Sequence, residues 1–168
     1  MESQAITSYM EIGRQIDNCA SMLIDCLLER GIFKSDAEGR SSTVSAEAID
    51  GEQYSLTVDA HHVRLVGNTR HVFYKDQFGS QHLIGAIEFR VQGISGELEK
   101  DPLLRVYVDD QGGCGWRKVG EVHRTIPTNQ SFAAAMRAAI FQELAGRVLE
   151  RLKQQPLSDQ AIGFMDLG

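Results

Sequence analysis

Apolar residues recur at steps of three and four from residue 6 to about residue 30, a spacing that places them on one face of an α-helix. The segment 19–28 carries further apolar residues outside that stripe, at Met22, Ile24 and Leu28. A helix that is apolar on more than one face must be covered on more than one side. We therefore expect this segment to contact the sheet and either the second helix or another subunit.

Between residues 43 and 124 the pattern changes to short apolar stretches that are separated by turn residues. Asp-Gly and Gly-Asn pairs accept a positive φ at low cost and are typical of tight hairpin turns. The separating segments are Asp50-Gly51, Gly67-Asn68, 76–79 and 110–113. This alternation of short apolar stretches and turn residues predicts an antiparallel β-meander of five to six strands.

The second predicted strand runs from 54 to 66 and leads into a hairpin at Gly67-Asn68. Its apolar residues change from even to odd positions across His61-His62. Because side chains alternate with a period of two along a strand, this change predicts a β-bulge at the two histidines. The other predicted strands are 43–49, 70–75, 82–91, 103–109 and 116–124. The segment 82–91 alternates most regularly and is predicted to be a central strand.

A second helix is predicted from 131 to 155, with start signals at Pro127, Thr128 and Ser131 and a stop at Pro156. Its predicted buried face consists of Phe132, Met136, Ala139, Ile140, Leu144, Val148 and Leu152. The fold class is thus α+β: a long N-terminal helix, the meander, and a long C-terminal helix packed on the sheet. We expect one domain over 1–156 and a docked or flexible tail over 157–168.

Composition indicates an ordinary globular protein, with 168 residues of which 42% are hydrophobic and 24% charged. The net charge of −6 disfavours non-specific binding to the phosphate backbone of nucleic acids, so nucleic acid is not an expected partner. No apolar run is long enough to span a membrane, and the start lacks the order of a signal peptide. The three cysteines show no CxxC spacing, which predicts reduced thiols and a cytoplasmic location.

One candidate site is the glycine-rich turn around Cys114, which precedes Arg117 in the sequence. A cysteine on an exposed turn beside cations could be reactive, but a nucleophile also needs a positioned base that no spacing here identifies. We therefore favour a plain turn position for Cys114. Trp116, the single tryptophan, is a candidate contact residue or a core residue. The predicted binding residues are Cys114, Trp116 and Arg117, with Phe164 and Leu167 in the tail.

His61, His62, His71 and His82 fall on neighbouring predicted strands and could meet Asp59 in a metal site. Adjacent histidines point to opposite faces of a regular strand, so solvated side chains are favoured and neither a metal nor another cofactor is predicted. The same holds for acidic residues of the loops, at 97, 99, 101, 109 and 110, whose spacing does not follow a calcium loop. No motif of known mechanism is present, so catalysis lacks support.

The favoured hypothesis is a non-enzymatic protein-interaction module, a small acidic adaptor or chaperone-like protein. We expect a homodimer that binds another polypeptide through a strand edge or a helix face. The alternative is a small-molecule-binding domain with a cavity between a curved sheet and the C-terminal helix. Its predicted lining consists of Leu83, Ile87, Phe89, Phe132, Met136 and Ile140. An enzyme that depends on a thiol or a metal ranks below both.

Overall fold

A computed structural model describes residues 3–29, 43–116, 124–125 and 130–158 of the chain. Helix α1 spans Ser3–Leu27 and helix α2 spans Gln130–Lys153. The strands between them are β1 Val44–Ala48, β2 Ser55–Ala60, β3 Val63–Lys75, β4 Gln81–Val91, β5 Leu104–Val108, β6 Gly113–Gly115 and β7 Arg124–Thr125. The predicted order of helix, strands and helix is confirmed.

The strands form one sheet in the order of the sequence, and every neighbouring pair is antiparallel. The predicted α+β meander is therefore confirmed. Five strands have at least five residues, whereas β6 has three and β7 has two. Strand β4 lies in the middle of this order, as its regular alternation of apolar and polar residues predicts.

The turn between β2 and β3 consists of His61 and His62, both at positive φ, 48° and 64°. Two such residues between paired Ala60 and Val63 form the type of turn that matches the twist of a hairpin. The predicted bulge is wrong, because the chain reverses there. Directly opposed residues share a face, so the reversal itself moves the inward residues from even to odd positions.

The predicted hairpin at Gly67-Asn68 is also wrong, since both residues lie within β3 and pair with β2 and β4. Gly67 is needed there for a packing reason rather than for a turn. A Cβ built on Gly67 would lie 2.7 Å from Cε1 of Phe89, so the phenyl ring occupies the space of a missing side chain.

Both helices cover the same face of the sheet, which we call the inner face. Ile16 of α1 packs on Gly85 of β4, and Met136 of α2 lies 3.6 Å from the Cys114 sulfur on β6. Most of the apolar segment 19–28 is covered by the sheet and by α2, where Cys26 Sγ donates to the Ala133 carbonyl at 3.2 Å, but Met22 is 38% exposed. The predicted contacts of this segment with the sheet and the second helix are therefore present.

The C-terminal end of α2 departs from the predicted buried face, because the Leu152 side chain is 46% exposed. Residues 117–123, which belong to the predicted strand 116–124, lie outside the described residues, as do the helix start signals at 127 and 128 and the tail from 159 onward. The predicted single domain over 1–156 and the separate tail stay predictions.

Candidate functional site

Cys114 is fully buried in the core, beside Met136. The premise of an exposed cysteine on the turn is therefore wrong, because Cys114 faces inward from β6 opposite Val108. Trp116 is partly buried and packs against the same core. The predicted contact residues Arg117, Phe164 and Leu167 lie outside the described residues.

The predicted cavity residues occupy two different places. Ile87, Phe89 and Ile140 are completely buried and Met136 is 4% exposed, and all four belong to one packed apolar core. Leu83 is half-buried and lines a groove at the surface instead. The side chain of Phe132 lies outside the described part of the structure.

The four histidines do not meet at one site: His61 and His62 line a surface pocket together with Asp59, whereas His71 and His82 lie elsewhere. His71 faces α1, where its Nε2 lies 2.7 Å from Asp17 Oδ1. His82 lies on the opposite face, where it pairs with Asp76 at 2.8 Å and stacks on Tyr74. Within the described residues, no group of three or more histidine, cysteine or acidic side chains is placed to hold a metal ion.

Strands β3 and β4 extend beyond their outer neighbours and form a two-stranded arm. Their pairing continues to Lys75 and Gln81, whereas β2 ends its pairing with β3 at Asn68 and β5 ends its pairing with β4 at Gly85. The arm, residues 69–75 and 81–84, has the N-terminal half of α1 on its inner face. A groove of about 550 Å³ lies between them, lined by Ile6, Tyr9, Met10, Gly13, Arg14, Asp17, His71, Phe73 and Leu83. We call this groove and its rim the arm–helix surface.

Three large apolar side chains of the arm–helix surface are exposed to solvent: Met10 by 70%, Phe73 by 52% and Ile6 by 44%. Tyr9 contacts Phe73 edge to face, with ring centroids 5.2 Å apart, which fixes the aromatic wall of the groove. Clustered exposure of this kind marks interaction sites on folded proteins, whereas single exposed apolar residues do not.

The polar end of the groove is built on Gly13. A Cβ at Gly13 would lie 2.9 Å from Cε1 of His71. Only glycine therefore leaves room for the imidazole to lie over α1 at this point and reach Asp17, one turn further along the same face. Sequence reasoning missed this surface, because the apolar stripe of α1 predicts burial along its whole length. The arm is too narrow to cover the first turns of the helix.

The face of the sheet opposite the helices, the outer face, carries a second polar feature at its centre. Glu88 is only 1% exposed and lies among three arginines. Its Oε1 is 2.9 Å from Arg70 Nε and 3.2 Å from Arg90 Nη1, and its Oε2 accepts a hydrogen bond from Arg105 Nε at 2.7 Å.

These contacts control the ionisation of Glu88. Burial by itself would raise the pKa of the Glu88 carboxyl, but the hydrogen bond from Arg105 and the charges of Arg70 and Arg90 outweigh it, so the pKa is lowered. The carboxylate is therefore charged at neutral pH. We call these four residues the Glu88 cluster. The sequence indicates it only in part, through the outward positions of Glu88 and Arg90 on β4 and the presence of Arg70 and Arg105 on the flanking strands.

Comparison with known proteins gives no relative: no family model, no curated protein and no solved structure matches this chain. Neither α1 nor α2, as far as each is described, is long and apolar enough to cross a lipid bilayer.

Proposed function

We propose that this protein is a non-enzymatic protein-interaction module, a small acidic adaptor or chaperone-like protein that acts as a homodimer. The observation that carries the proposal is the arm–helix surface, where Ile6, Met10 and Phe73 are exposed around one groove. In the proposed dimer the N-terminal half of α1 of one copy packs into the groove of the other.

The energy of burial supports a symmetric contact. Complete burial of one large apolar side chain stabilises by about 1.5–3 kcal/mol. Association must also offset lost translational and rotational freedom, at roughly 4–15 kcal/mol. Burial of Met10, Phe73 and Ile6, which are 70%, 52% and 44% exposed, would contribute roughly 2.5–5 kcal/mol on one partner, which lies at the bottom of that range. A two-fold axis uses the same residues twice, and the proposed dimer therefore doubles the apolar area that is buried.

The helix face is a better contact surface than the outer strand edge. Among the described strands β1 pairs with β2 on one edge, and its other edge pairs with none of them. Its exposed side chains are Ser45, Glu47 and Ala48, which are small or charged. Such residues are typical of edges that resist pairing with another strand.

A cytoplasmic location fits the state of the cysteines. Cys19, Cys26 and Cys114 form no disulfide, and reduced cysteines of this kind persist in a reducing compartment. The cavity alternative is less favoured, since Ile87, Phe89, Met136 and Ile140 of its predicted lining pack into the core.

Sedimentation velocity of the full chain over a range of concentrations tests the proposal. We expect a dimer that Met10→Glu and Phe73→Glu convert to a monomer, because each places a charge in the apolar contact. The matched control is Leu149→Glu, which changes a helix residue of similar exposure, 48%, outside the arm–helix surface. The control should remain dimeric. A wild-type chain that stays monomeric up to sub-millimolar concentration would show that the proposal is wrong.

A further inference from the structure

We propose that the Glu88 cluster is a binding site for an acidic polypeptide segment, with Arg70 and Arg105 as the residues that contact its carboxylates. This proposal does not rest on the dimer, because the cluster lies on the outer face and the arm–helix surface on the inner side of the arm. A simple surface ion pair would need one arginine, whereas three arginines surround Glu88.

The first argument is the balance of charge. Three guanidinium groups surround one carboxylate, so the cluster carries +2 in a protein whose net charge is −6. One arginine would neutralise Glu88, and each further arginine adds repulsion between like charges. An anionic ligand would remove this repulsion. The nearby pair Arg64 and Asp59 is balanced and adds nothing to the excess.

The second argument is the orientation of the guanidinium groups. Arg70 and Arg105 both approach Glu88 through Nε. That contact leaves the terminal edge of each guanidinium group, with its two Nη atoms, to donate to another acceptor. In Arg105 a hydrogen bond with the Tyr107 side chain uses part of this donor capacity. The side chains are 60% and 46% exposed, so the terminal edges are open to solvent. Paired N–H donors in a fixed plane match a carboxylate in two-point contact.

Glu88 positions these donors. A buried carboxylate that holds two long side chains by their Nε atoms removes much of the rotamer freedom that a ligand would otherwise have to restrict. Arg90 is less suited to contact a ligand, because it is 22% exposed and its Nε donates to the Lys100 carbonyl. Arg70 and Arg105 are therefore the contact residues, and Glu88 is a positioning residue.

The spacing favours a polypeptide ligand. Arg70 on β3 pairs with Ala86 and Arg105 on β5 pairs with Glu88, so the two arginines are offset by two residues across β4 and their backbones are roughly 12 Å apart at the usual strand spacing and rise. Acidic residues at alternate positions of an extended segment are about 6.5–7 Å apart, and the long arginine side chains can close the difference. A long polyphosphate backbone is disfavoured, because most of it would face the negative remainder of the protein.

The test is fluorescence anisotropy at low salt with a dye-labelled peptide that carries aspartate at alternate positions, and with the same peptide carrying asparagine. We expect binding of the aspartate peptide only, with affinity reduced about tenfold by Arg70→Gln and by Arg105→Gln. Arg64→Gln is the matched control, since it removes an exposed arginine of the same face that is already bound to its own aspartate. It should change the affinity less than twofold.

Glu88→Gln separates positioning from net charge. This variant raises the charge of the cluster, so attraction by charge alone predicts tighter binding, whereas loss of positioning predicts weaker binding. We expect weaker binding in a variant whose fold is verified by circular dichroism.

Three results would overturn the proposal: equal binding of both peptides, equal losses from Arg64→Gln and the two contact variants, or tighter binding by Glu88→Gln. Displacement of the peptide by low millimolar inorganic phosphate would also overturn it, because the site would then be one for phosphate.

Discussion

Ile16 of α1 rests directly on Gly85 of β4, so closely that a Cβ at residue 85 would lie 2.5 Å from Ile16 Cγ2. This contact sets the distance between the first helix and the central strand, because both residues are buried and neither can move outward. The glycine serves close packing and not a turn.

Gly85→Ala should therefore lower the free energy of unfolding by about 1–3 kcal/mol, the usual cost of an added group in a packed core. Urea unfolding measures the change. Gly146→Ala is the matched control, since a Cβ at Gly146 meets nothing within 4 Å and alanine favours the helix. It should raise stability by up to about 1 kcal/mol. A loss in both variants would contradict the packing argument.

Alternation of apolar and polar residues predicted β4 and its central position correctly, because a strand that contacts a helix on one face must keep that period. The turn between β2 and β3 was predicted at the wrong residues. Gly67-Asn68 has the better local preference for a hairpin, but Phe89 needs the empty space above Gly67. That requirement depends on β4, which lies far along the sequence, and no local pattern contains it.

Because the turn lies at His61 and His62, both residues adopt left-handed φ values, which destabilise a residue that has a Cβ by about 1–2 kcal/mol. His62→Gly should raise the free energy of unfolding by about 1 kcal/mol, measured by urea unfolding. His62→Ala is the control, because alanine retains the unfavourable φ and should bring no gain. Loss of stability in both variants would show that the His62 imidazole makes contacts that outweigh its backbone strain.

The candidate surfaces were harder to predict than the fold. The sequence shows that Glu88 faces outward, but its burial depends on arginines from three strands whose register only the structure provides. Exposure of Met10 and Phe73 depends on where β2 and β5 end their pairing with the arm. Both features arise from differences in strand length, which periodicity does not determine.

The Glu88 cluster predicts a pH dependence of stability. The pKa of Glu88 is lowered in the folded state, because hydrogen bonding by Arg105 and the charges of Arg70 and Arg90 outweigh burial. The folded protein therefore binds the proton more weakly than the unfolded chain does. The contribution of the carboxylate is complete above its ordinary pKa of 4.5 and is lost as the pH falls through the lowered folded value.

Glu88→Gln should accordingly be less stable than wild type at pH 7, and the difference should shrink as the pH is lowered below about 4.5. Thermal unfolding at a series of pH values measures both. Glu150→Gln is the control, as this exposed residue forms a long ion pair with Lys153, at 3.9 Å, and the change should alter stability by less than about 0.5 kcal/mol. A Glu88→Gln difference that grows in acid would contradict the assigned sign.

The cysteines should react slowly in the folded protein, for a reason that differs from residue to residue. Desolvation raises the pKa of Cys26 to about 11, despite the nearby charge of Arg137, and burial also raises the pKa of Cys19. Cys114 is inaccessible in the core.

A disulfide reagent at pH 8 measures these differences. We expect Cys19, the one partly exposed thiol, to react first but more slowly than free cysteine, and we expect Cys19→Ser to abolish that kinetic phase. All three should react rapidly in urea. A fast native phase that persists in Cys19→Ser and disappears in Cys114→Ser would restore the exposed, reactive Cys114 that the structure excludes.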